Sequence, residues 1–264
     1  MKRFGLLLAA SFLGMGGAAD AATLAVFGNN PIGARYAASG NTVTYVTNTQ
    51  LATAGFLNSF DAFVYTRDGS SFGSSLTTAA AANVNSFVTK NIVLFNGDFA
   101  DDIPTSSNTS RLFDNALAYV LSGGAGGYIG EYTGSFAAFA SNASGLSPIG
   151  LVAGTSGPSG AGLGGANGSV NVTAAGAGSS LLTGVTLPYN PGAVEFSATA
   201  TGVNPASVVL AFDNGNAALI ASSRASISSS AVPEPATWAM MLVGFAGVGA
   251  SMRRRRSGLL RQAA

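Results

Sequence analysis

Few residues in this chain are able to do chemistry. Histidine and cysteine are both absent, so no Ser–His–Asp or Cys–His site can form, and no zinc or haem site with its usual ligands. What remains is carboxylates beside glycines. Gly130-Glu131-Tyr132-Thr133-Gly134 follows a short apolar run, and there Glu131 is a candidate lone general base. Glu195 supplies a second acid of the kind a glycosidase pair needs, but no spacing brings it to Glu131. Asn96, Asp98, Asp101 and Asp102 offer oxygen ligands of the type calcium takes, at a spacing that is not that of an EF-hand loop. Acidic residues after a strand are more often simply solvated, so no metal and no cofactor is expected. Gly28-x-x-x-x-Gly33 lacks the Lys-Ser/Thr that a phosphate-binding loop requires.

The elements that must position these residues alternate between strand and helix. Leu24–Phe27, Thr42–Thr47, Asp61–Tyr65, Asn91–Phe95 and Gly127–Gly130 are short apolar or β-branched runs closed by turn residues. Leu76, Ala80, Val84, Phe87 and Val88 recur at helical spacing, as do Leu112, Phe113, Ala116, Leu117, Val120 and Leu121 behind a candidate N-cap at Ser110. Near-continuous apolar strands alternating with helices predict an α/β body with a mainly parallel sheet covered on both faces. After Gly145 the character changes. Seven glycines between 154 and 168 read as a loop or insertion. β-rich runs follow at Val170–Thr173, Val194–Thr199, Val208–Phe212 and Ala218–Ala221, and Asp213-Asn214-Gly215-Asn216 marks a C-terminal hairpin. An all-β, adhesin-like body is the alternative that so much Gly, Ser, Thr and Ala permits.

Composition points away from nucleic acid. Only 9% of the 264 residues are charged, against roughly 25% in ordinary domains. The net charge of +1 belongs to the chain ends, because between Thr23 and Val232 five basic residues face nine acidic ones. A weakly acidic body lacks the clustered Lys and Arg that displace counterions from phosphates.

The two ends carry targeting patterns. Lys2 and Arg3, the uncharged run Phe4–Met15 and Ala19-Asp20-Ala21-Ala22 read as a signal peptide over 1–22, cut after Ala21 or Ala22. Such a leader implies passage through the general (Sec) export machinery. At the other end, a Ser-rich spacer over 222–231 precedes Pro233-Glu234-Pro235. Seventeen uncharged residues then run from Ala236 to Met252, followed by Arg253, Arg254, Arg255 and Arg256. That span is at the lower limit for a membrane-crossing helix, with Trp238 at one boundary and arginines holding the other inside. Residues 257–264 are then a cytoplasmic tail.

Pro233-Glu234-Pro235, the short helix opening with Trp238 and the arginine cluster resemble the PEP-CTERM sorting signal, also labelled an ice-binding-protein C-terminal domain. The resemblance implies that an exosortase recognises residues 232–256 and cuts near Pro233. It also implies association with exopolysaccharide and biofilm material, at the cell surface or outside the cell. Separately, Gly126–Phe136 is similar to the nucleophile elbow of class I glutamine-amidotransferase-like proteins, whose fold is flavodoxin-like. Their nucleophilic cysteine is replaced here by Tyr132, and no histidine exists to activate it. Gly130, Glu131, Tyr132, Thr133 and Gly134 are then a degenerate elbow. The expectation is a non-catalytic exported protein, with a carboxylate-only envelope hydrolase as the rival.

Overall fold

The apolar runs form the strands of one sheet. A computed structural model describes residues 21–28, 31–66, 76–97, 99–132, 152–153, 168–191, 200–201 and 203–227. The segment read as a signal peptide, up to residue 20, most of the glycine-rich stretch, the strand expected at Val194–Thr199 and everything from 228 onward lie outside them. Thr23–Phe27 is β1, Thr42–Tyr45 β2, Ala62–Tyr65 β3, Asn91–Asn96 β4 and Gly127–Tyr132 β5. These five run parallel in the order β2-β1-β3-β5-β4. Val152–Ala153 (β6) pairs only with Ala200–Thr201 (β8). Val170–Val172 (β7), Val208–Phe212 (β9) and Ala217–Ser223 (β10) extend the main sheet antiparallel, as β4-β10-β9-β7.

Helices cover both faces of this eight-stranded sheet. Pro31–Ala38 (α1) and Ser107–Ser122 (α4) cover one face, where Ile32, Tyr36, Leu112, Phe113, Ala116 and Val120 pack on Leu24, Val26, Val64, Val93 and Ile129. Asn48–Leu51 (α2) and Thr78–Phe87 (α3) cover the other, where Leu51, Ala80 and Val84 meet Phe63, Tyr65, Leu94 and Tyr128. Burying each such large side chain contributes about 1.5–3 kcal/mol. The α/β reading therefore holds, and an all-β body does not form.

Strand order departs from the flavodoxin-like expectation. That order is 2-1-3-4-5, whereas here β5 lies between β3 and β4. All six residues of β5 are buried, so it suits a central place with neighbours on both sides and layers above and below. Glycine makes its close packing feasible. A methyl group on Gly127 would sit 3.0 Å from Val120 of α4, and one on Gly130 would sit 2.6 Å from the Tyr128 hydroxyl, whose ring lies along that stretch of strand.

Several boundaries also move. Pro31 opens α1, a helix not expected from the sequence, and there its missing N–H does no harm. The cap of α4 is Ser106, not Ser110: the Ser106 hydroxyl accepts from Thr109 N–H at 3.2 Å, while the Ser110 hydroxyl donates to Ile103 O. β10 runs on through Ser223 and Ile227 is buried, so the body reaches into the stretch read as spacer. Among the described residues no helix is long and apolar enough to cross a membrane, and the span expected at 236–252 lies outside them.

Candidate functional site at the carboxyl edge

The parallel strands end together at one edge of the sheet, where α/β folds hold their ligands. The chain moves outward from β1 to β2 and then returns to β3 on the other side, so the switch point is between β1 and β3. Gly28 and Thr66 follow those two strands, and Glu131 and Tyr132 end β5 nearby. Gly28 has φ 122°, which a side chain would strain. Thr66 N–H donates to Phe27 O at 3.2 Å, tying the two strand ends together.

Glu131 is fully buried on the α1/α4 face. Its Oε1 accepts the Ala100 N–H at 2.7 Å, which satisfies one amide at the start of the 3-10 turn Phe99–Asp102. The candidate base is thus engaged in holding the loop after β4. Tyr132 alternates to the opposite face and is also fully buried. Its hydroxyl has no hydrogen-bond partner among the described residues, and burial pushes its phenol far above the ordinary range. At neutral pH it is a protonated, enclosed phenol, and no nucleophile. Thr133 and Gly134, which complete the pattern, lie outside the described residues, as does Glu195.

Asn96 is buried, and its Nδ2 donates to Ala217 O at 2.6 Å, fastening the end of β4 to the start of β10. Asp102 ends the 3-10 turn, its carbonyl accepting from Ser106 N–H at 2.7 Å. The placement of Asp98 and of the Asp101 side chain lies outside the described residues. Among those described, no three acidic groups come together as a metal site.

Two features escaped the sequence reading. Thr66 is buried with its hydroxyl unpartnered among the described residues, and a cavity of about 420 Å³ opens beside the start of α4. Asp102, Ser106, Asn108 and Tyr189 line it with polar groups. Tyr189 shares a hydrogen bond with the Thr109 hydroxyl at 3.3 Å, and burial pushes its phenol up to about 12. Neither feature has a local signature, because each joins residues distant in sequence.

Comparison with known proteins speaks to the tail alone. No curated protein and no solved structure matches the chain, so the amidotransferase-like resemblance gains no support there. Residues 231–256 match the PEP-CTERM protein-sorting motif, which implies an exported protein that transits a membrane and is processed by an exosortase.

Proposed function

We propose that this chain is a non-catalytic protein of the cell surface or extracellular matrix, delivered through its PEP-CTERM tail and associated with exopolysaccharide. The motif match at 231–256 carries the reading. The carboxyl edge supports its non-catalytic part: Tyr132 is an enclosed, protonated phenol, and Glu131 accepts from the Ala100 amide instead of facing a substrate. Before processing, the chain is held in the inner membrane by residues 236–252. Val232 and Glu234 each precede a proline, and a residue before proline avoids helical angles. An extended peptide is the form that a membrane protease grips.

Intact mass spectrometry of the surface or secreted product tests this in hosts with and without an exosortase. The expected result is a mature form ending near Pro233 only where the exosortase is present. A secreted product still carrying Arg253–Arg256 overturns the reading. Glutaminase or glycosidase turnover by the purified protein, well above a buffer blank, overturns its non-catalytic part.

A further inference from the structure

We infer that in the membrane-held precursor the amino edge of the sheet faces the bilayer and the carboxyl edge, with Glu131 and Tyr132, points away from it. This rests on the anchored precursor proposed above and adds the direction in which the body is presented.

Chain direction carries the argument. β1 begins at Thr23, so the leader side of the chain arrives at the amino edge. β10 runs antiparallel to β4 and pairs Ser223 with Asn91, so the chain leaves toward its tail at that same edge. β1 and β10 are separated by β3, β5 and β4, which places entry and exit about 19 Å apart at ~4.8 Å per strand step.

The exit is pinned. Arg224 N–H donates to Lys90 O at 2.8 Å, Asn204 N–H donates to Ile227 O at 2.9 Å, and Ile227 is buried. From Ile227 to Pro233 the chain takes six residue steps, at most about 22 Å when fully extended. A domain of about 200 residues has a radius of gyration of ~17 Å, equivalent to a sphere ~43 Å across. A tether that short cannot run around the body to bring the far edge down to the lipid.

Charge acts in the same direction. Among the described residues, Lys90 is exposed and Arg224 half-exposed at the exit, whereas Asp102 and Asp213 are on the carboxyl edge, with the cation Arg111 in the half of α4 nearer it. Asp61, an acid at the amino edge, is engaged by Thr23, whose N–H and hydroxyl donate to it at 2.7 and 2.9 Å. An anionic lipid surface therefore attracts the amino edge.

The absence of cysteine makes single labels straightforward. Thr105 and Ala125 are exposed just before and just after α4, whose 16 residues separate them by about 24 Å. Full-length Thr105→Cys and Ala125→Cys precursors, each carrying a maleimide fluorophore, are reconstituted in phosphatidylethanolamine/phosphatidylglycerol vesicles containing headgroup-nitroxide lipid. The Ala125 label is expected to be quenched at least threefold more strongly than the Thr105 label. Equal or reversed quenching, in protein that floats with the vesicles, overturns the orientation alone. Failure of the unlabelled precursor to float overturns the anchored reading and the orientation with it.

Discussion

The five parallel strands and the three antiparallel strands of the main sheet are built on different terms. Of the parallel set, β3 and β5 are buried at every position, and β1 and β4 at all but their first residue. Their sequences read AFVY, GYIGEY, TLAVF and NIVLFN, nearly continuous apolar runs, because helices lie above and below. β9 and β10 mix buried with half-exposed positions, and their pairing slips around Leu219. β7, at the edge, exposes Val172. In the parallel block, β1, β3, β4 and β5 are held by burial on two sides, while the edge strand β2 has no buried residue. The antiparallel block adds polar clamps such as Asn96 on Ala217 to a core of its own that includes Val170, Leu210, Phe212, Leu219 and Ile220. Substitutions should therefore act strongly in the central parallel strands and mildly at the exposed positions of the antiparallel ones.

The sharpest test contrasts Val93→Asp with Val172→Asp. Val93 is fully buried in β4, whereas Val172 is 48% exposed. An unpaired charge at Val93 should destabilise by several kcal/mol, enough to remove the far-UV helical signal, while the β7 variant should stay within about 0.5 kcal/mol. Equal melting temperatures for the two would end the comparison.

Alkaline pH should attack the parallel block next. Burial raises the phenols of Tyr36, Tyr128 and Tyr132 far above their ordinary 10.0. The folded state then holds protons that the unfolded state releases, so this stability is fully present below about pH 10 and is lost as pH rises beyond it. One pH unit above the unfolded value, each buried tyrosine accounts for ~1.4 kcal/mol. Chemical denaturation at about pH 8 and about pH 11 should show a loss of several kcal/mol. A flat profile would mean that these rings are open to solvent.

In the antiparallel block, the Asp213 carboxylate accepts from Ser169 N–H at 2.7 Å and from Asn171 Nδ2 at 2.8 Å, joining the hairpin to β7. Asp213→Ala should cost about 1–2 kcal/mol in urea denaturation. A loss comparable to that of Val93→Asp would show that the clamp matters as much as the core.

The smallest effect belongs to Tyr132→Phe. Its hydroxyl is buried without a partner among the described residues, so removing it should change stability by less than about 1 kcal/mol, in either direction. Tyr36→Phe is the control, because that hydroxyl donates to Phe113 O at 2.8 Å and its loss should cost ~1 kcal/mol. Greater destabilisation by Tyr132→Phe than by Tyr36→Phe would reveal a partner for the Tyr132 hydroxyl.

Everything legible in the sequence is local or periodic. The apolar runs that became β1, β3, β4 and β5, the helical spacing behind α3 and α4, the Asp213–Asn216 turn and the residues of the sorting motif all depend on neighbours a few positions apart. Such patterns persist whatever surrounds them. Folding in three dimensions is what inserts β5 between β3 and β4, sets Glu131 on the Ala100 amide, makes Ser106 the cap of α4, and brings the chain in and out at one edge. Each of these depends on contacts between distant segments or on a cap competing with a near neighbour. A strand buried on both faces looks the same in any central position, so its apolar run carries no record of which strands lie beside it.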